Sequence, residues 1–369
     1  MRFSLSKASL LRELNLLQGV VEKKNTIPIL SNVLIETLGE SLVSLIATDL
    51  DVSLQTECTA DVIHPGAIVL QARKLFDIVR NLPEAEINFS KEENDWVRIR
   101  CGAAEFRIVG QAKEHFPSTP GLKESGQMIP ATALHDLISR TIYAITQEES
   151  RYALNGALLM LADGKLQMVA TDGHRLALAA FALEGATDEQ VRVIIPKKAL
   201  GELLKLTSGA DGALIFAKDE NHLYFKLDQR LLTSRMLAGQ FPNYDLVLPK
   251  NNDKLIPLNT ERFAQAIRRA ALMADERSHG IKLELSSGKI NLTAQSADVG
   301  EAKDVLPVDY SGDTVSIGFN AQYISDFLGV VGTEQITLEV KDEQSPALLK
   351  PSGDGQYDYR YVVMPMRLI

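Results

Sequence analysis

The residue types able to do covalent or metal chemistry are present in the chain but are not spaced to do it. Its six histidines, at positions 64, 115, 135, 174, 222 and 279, never fall three or four residues apart, the spacing that sets two imidazoles on one helix face around a metal. There is no His-Glu-x-x-His, no Gly-x-x-x-x-Gly-Lys-Ser/Thr loop for phosphates, no Gly-x-Gly-x-x-Gly and no Gly-x-Ser-x-Gly elbow. Asp49 and Asp51 are the type of pair that holds Mg²⁺ in a nuclease, but the same pattern is the ordinary chemistry of a solvated turn. The two cysteines, Cys58 and Cys101, are too few for a disulfide framework or a zinc site. The expectation is a protein without a catalytic centre, metal or cofactor.

Charge and composition narrow the class further. A formal charge of −9 argues against a protein that grips nucleic acid with its whole surface, because such binding runs on phosphate neutralisation by Lys and Arg. It leaves room for a locally basic lining. Residues 1–17 mix leucines with Lys7, Arg12 and Glu13, which interrupts any secretory apolar run, and no stretch is long enough to span a bilayer. With so few cysteines, a cytoplasmic location without membrane contact is expected.

The elements that position these residues repeat. Ala47-Thr48-Asp49 returns 123 residues later as Ala170-Thr171-Asp172, each at the end of an alternating strand, with a weaker third copy at Asn291 to Asp298. Before each copy lies a helical pattern (Leu10, Leu14, Leu17; Leu134, Ile138, Ile142; Phe263, Ile267, Ala270), with Ser6, Thr132 and Asn259 where N-caps belong. After each comes a strand and a second helix, led by Leu75, Leu200 and Ile324. The chain therefore reads as three copies of roughly 120 residues, each with two helices against antiparallel strands, an α+β class. The expected boundaries are 1–121, 128–249 and 253–369, with linkers near Pro117 to Met128 and Pro249 to Lys254.

Several segments carry a resemblance: Ala170 to Leu176, Gln240-Phe241-Pro242-Asn243-Tyr244, Tyr361 to Leu368, Thr26 to Leu30, and Ala72-Arg73-Lys74. In family order and over the full length, they resemble the bacterial sliding clamps, the beta subunits of DNA polymerase III. The resemblance implies a DNA clamp fold that forms a head-to-tail homodimeric ring, with helices lining a hole around duplex DNA and sheets outside. It implies a non-catalytic processivity factor whose partners are the polymerase III alpha subunit, the clamp loader, and other polymerases and repair proteins. By the same resemblance Lys24, Arg73, Tyr152 and Lys198 touch DNA. Ala153 departs from the family pattern, which has a second tyrosine there.

The partners of such a clamp bind through a short peptide in an apolar groove. The resemblance places it at Leu154, Thr171, Gly173, His174, Arg175 and Leu176, at Pro242, Val247 and Tyr323, and at Val362, Val363, Met364, Pro365, Met366 and Arg367, with Arg151 at the rim. Aliphatic and methionine side chains suit an adaptable floor for a Leu or Phe anchor, and Arg175 is the residue expected to orient the peptide. Gln344, Pro346 and the extra terminal Ile369 depart from the family pattern. The dimer contact is expected between Phe106 and Ile108 of one chain and Leu272 and Met273 of the other. Lys74, Arg98 and Arg107 would face Glu301 and Asp304 to set the register.

Overall fold

The computed structural model describes residues 1–21, 27–122, 126–146, 148, 150–183, 190–353 and 355–367. Among these residues six α-helices form: α1 (Lys7–Leu17), α2 (Ala72–Asn81), α3 (Ala131–Thr141), α4 (Lys197–Thr207), α5 (Thr260–Ala271) and α6 (Ala321–Val330). They bury the apolar faces expected from spacing, such as Leu10, Leu14 and Leu17 on α1, Leu75, Ile78 and Val79 on α2, and Phe263, Ile267 and Ala270 on α5, but Ile142, expected on the third helix, falls half-buried in the 3₁₀ turn just past it. Ser6 and Asn259 cap their helices, accepting from the amides of Ser9 and Arg262 at 3.2 and 3.0 Å. Thr132 does not cap: the strand Gln127–Pro130 runs directly into α3, which leaves Thr132 inside the first turn. Asn320 caps α6, accepting from the amides of Gln322 and Tyr323, a cap not among the expected ones.

Four antiparallel sheets carry the strands, and the chain gathers into two compact units. Unit 1, residues 1–135 with 198–236, holds a five-stranded and an eight-stranded sheet; unit 2, residues 136–197 with 237–369, holds another eight-stranded sheet and a four-stranded one. The divisions of contact thus cut across the sequence repeat, because each eight-stranded sheet joins strands of two successive repeats. In unit 1, Val52–Thr59 pairs with Arg230–Arg235; in unit 2, Arg175–Ala182 pairs with Tyr357–Val363. Continuous backbone hydrogen bonding is what welds successive repeats, and the short linkers seen in the sequence only connect them. Met128 and Lys254, placed in linkers from their surroundings, belong to the first strands of their repeats.

Each weld also has a polar rivet. Glu13 of α1, 2% exposed, accepts from Arg230 through both oxygens at 2.7 and 2.8 Å. Its counterpart 123 residues on, Asp136 of α3, bonds the phenol of Tyr357, over whose ring Arg140 stacks at 4.4 Å.

Candidate functional site

The site is built inside unit 2 around the turn that follows the second Ala-Thr-Asp. Thr171 Oγ1 donates to the carbonyl of Arg175 at 2.6 Å and accepts from the amide of Gly173 at 3.1 Å. Asp172 accepts from the amides of His174 and Arg175 at 2.9 and 3.0 Å. Gly173 sits at φ +90°, where a side chain would be strained and would also meet the Arg151 guanidinium. This is the physical content of the repeated motif: threonine and aspartate tie a sharp strand-to-strand turn through their own backbone.

Arg175 lies beneath that turn, its side chain 10% exposed. It donates to Asp172 at 3.0 Å, to Asp326 of α6 at 2.5 Å and to the carbonyl of Tyr143 at 2.6 Å, and it stacks on the Tyr323 ring at 4.3 Å. Burial alone pushes its pKa down, and the surrounding phenol and carboxylates of Tyr361, Asp326 and Asp172 outweigh that and push it up. Beside the expected role of orienting a peptide, Arg175 has a framing role: it locks the turn to α6 and Tyr323. Tyr361 adds to the frame by donating to the Tyr323 carbonyl at 2.8 Å. Arg151 stays at the rim, donating to the Asp172 carbonyl at 3.0 Å beside Glu148.

Above this frame is one apolar cluster. Leu176 and Val362, paired across the seam, pack with Leu158, Leu178, Phe241 and Leu348, and Leu154 and Val247 lie half-buried on top. Met160, Leu237 and Leu248, absent from the expected set, share that position. Leu246 stands beside them 81% exposed at the end of a 3₁₀ turn. A large apolar residue left in water next to a half-covered apolar floor is the signal of a docking groove, and periodicity does not reveal it because the turn has none. Pro242 is exposed at the same edge.

The tail divides. Val363 is buried opposite Arg175, and the Met364 amide donates to the carbonyl of His174 at 2.9 Å, which keeps the exposed His174 at the groove. The Met366 amide instead donates to Gly318, and Met366 and Arg367 line a separate cavity of about 610 Å³ with Lys282 and Asp275. Pro365 is half-buried between them. Gln344 is exposed in a turn held by Asp342, and the Pro346 carbonyl accepts from Asn252 at 3.1 Å. Ile369 lies outside the described residues.

The residues expected at DNA are scattered. Arg73 projects from α2 and reaches Asp77 only at 3.6 Å; Tyr152 is exposed on a 3₁₀ turn; Lys24 lies outside the described residues. Lys198 sets its ammonium on the Asp49 carboxylate and the Val20 carbonyl, joining two repeats of unit 1, with its side chain 38% exposed. Asp49 in turn accepts from the Asp51 and Val52 amides of its own hairpin, its side chain 8% exposed, so it is a buried turn carboxylate where a solvated one was expected. Among the described residues no three His, Cys, Asp or Glu side chains gather to hold a metal.

The residues expected at a dimer contact lie at sheet edges. Phe106 and Ile108 are on Ala104–Val109, an edge strand of the five-stranded sheet, where Val109 is also exposed. Lys74 borders a cavity of about 780 Å³ with Ile108, Arg107 and the only tryptophan, Trp96. Glu301 is on Gly300–Pro307, an edge strand of the four-stranded sheet, where Val305 is exposed; Leu272 is exposed and Met273 half-buried just past α5. Of the charges expected to set the register, Arg98 and Arg107 pair with Glu92, and Asp304 with Arg269, within the chain.

Comparison with known proteins gives one consistent result. Models of the DNA polymerase III beta subunit match in three parts, the N-terminal domain over residues 1–120, the central domain over 128–243 and the C-terminal domain over 245–367. The beta sliding clamp of Pseudomonas putida is 36% identical over 375 residues, covering all of both chains. The crystal structure of the DNA polymerase III subunit beta from Pseudomonas aeruginosa matches with a TM-score of 0.94 at 36% identity, and the Bacillus subtilis sliding clamp with 0.94 at 29%, each over all of both chains. A Pseudomonas aeruginosa sliding clamp described as bound to griselimycin matches equally well, at 0.94 and 36%.

Proposed function

This chain belongs to the family of DNA polymerase III beta subunits, the bacterial sliding clamps, and we propose that it closes with a second copy into a homodimeric ring on duplex DNA. It is a processivity factor with no catalytic centre: it encircles the duplex and tethers the replicative polymerase to it. Three clamp domains make up the chain, and we take their limits as 1–121, 128–249 and 253–369. The ring closes where the edge strand Ala104–Val109 of one copy adds to the edge strand Gly300–Pro307 of the other, which covers Phe106, Val109, Val305 and Leu272 and satisfies both rows of open backbone groups. Exposed Arg73 and Tyr152, with the exposed helix cations Arg80, Arg262 and Arg268, meet phosphates loosely, so the grip is enclosure and the ring slides. No described helix is long and apolar enough to cross a membrane, and the cytoplasm is the compartment this role requires.

The apolar groove of unit 2 is the tether. One observation carries this reading: a floor of Leu154, Met160, Leu237, Val247 and Leu248 left half-covered over a buried core, with Leu246 standing in water at its lip. An extended peptide with Leu or Phe anchors covers it, each anchor contributing about 1.5–3 kcal/mol by burial. The alpha subunit, the loader and the other clamp clients compete for this one surface. Titrating a fluorescent Ser-Leu-Ser-Leu-Phe peptide into the dimer tests it. Val247→Asp is expected to weaken binding more than tenfold with the melting temperature and dimer mass unchanged, and undiminished binding would refute the groove.

A further inference from the structure

We infer that the fold builds this groove twice, once in each unit, and that a few polar replacements in unit 1 disarm the first copy so that each chain holds one tethering peptide; the inference rests on the groove reading above. The duplication is geometric. Thr48 Oγ1 accepts from the amide of Leu50 at 3.0 Å and donates to the carbonyl of Val52, as Thr171 does for Gly173 and Arg175. Asp49 takes the amides of Asp51 and Val52, as Asp172 takes those of His174 and Arg175. The seam is in the same register: Ser53 faces Thr233 where Leu176 faces Val362, and the Arg235 amide donates to Asp51 at 2.8 Å where that of Met364 donates to His174 at 2.9 Å.

The first copy is open, a cavity of about 300 Å³ lined by Leu50, Ser53, Ser118, Thr233 and Arg235 among others. Its chemistry is inverted. Ser53 and Thr233 replace Leu176 and Val362 of the buried core beneath the floor, and, counting the same 123 residues, Ser118 replaces Phe241. A Leu or Phe anchor entering there would rest on a core that already buries hydroxyls, Ser53 at 7% and Thr233 at 3% exposure, the latter donating to the Pro120 carbonyl, in place of apolar side chains. Leu50 replaces Gly173 at φ +79°, a conformation unusual for so bulky a residue, and holds its side chain 51% exposed across the mouth. The two grooves therefore share a frame and differ in what the frame presents, which is how one repeat yields one specific site.

Calorimetric titration of the dimer with acetyl-Ser-Leu-Ser-Leu-Phe-amide counts the sites. The wild-type chain is expected to bind one peptide; two sites of comparable affinity would overturn the inference. The triple variant Leu50→Gly, Ser53→Leu, Thr233→Val is expected to bind two, the second within about tenfold of the first, and to keep one when Val247→Asp is added. Because two of those positions are interior, the mouth variant Leu50→Gly, Ser118→Phe is titrated beside it and is expected to show a second, weaker site. If both variants keep the wild-type melting temperature and still bind one peptide, or if the mouth variant alone folds and binds one, the inference is overturned. A wild-type chain that binds no peptide at all overturns the groove reading itself and this inference with it.

Discussion

At the scale of single residues, the proposed groove depends on how tightly its turn is braced from below. Arg175→Lys keeps the charge and loses the fork that ties Asp172, Asp326 and the Tyr143 carbonyl together. It is expected to lower the melting temperature and to weaken peptide binding several-fold, whereas an Arg175 that served the ligand alone would leave the melting temperature where it was. Gly173→Val is expected to cost about 1–3 kcal/mol, since it forces a β-branched residue to φ +90° against Arg151; denaturant unfolding reads this directly. The sequence marked both positions through the Ala-Thr-Asp motif and the family segment. It did not separate frame from surface, because what fills a guanidinium is a matter of distant partners, Asp326 lying 151 residues away. Leu246 was missed for the converse reason: nothing local distinguishes an apolar residue that ends in water.

The elements themselves were the most legible part. Apolar spacing located all six helices of the described residues. The weld between successive repeats was hidden, since pairing of strands some 180 residues apart leaves no periodic trace, and with it the Glu13 to Arg230 contact. Burial pushes the pKa of Glu13 up, but its bonds from Arg230 and Arg12 prevail and hold it below the ordinary carboxylate range. Stability from this pair is therefore complete above the unfolded value near pH ~4.3 and drains away as pH falls through the lower folded value. Thermal melts from pH 6 to 3 are expected to show a steeper acid loss in the wild type than in Glu13→Gln, and parallel curves would contradict the assignment. Arg230→Ala, which strands a buried carboxylate, is expected to cost about 3 kcal/mol.

For the whole molecule, the proposed ring closes only if two exposed sheet edges find each other. Trp96 lies beside the Arg107 guanidinium, 4.4 Å above its ring, in the cavity next to that edge. Diluting the dimer is expected to shift Trp96 emission to the red in step with the fall in sedimentation mass, and Ile108→Asp is expected to give the shifted spectrum at every concentration. Ring closure around the duplex is the central claim, and topology tests it most directly. Protein loaded on nicked circular DNA and passed through a sizing column is predicted to stay with the circle and to leave once a single cut linearises it. Equal retention on both forms, or on neither, would contradict the account.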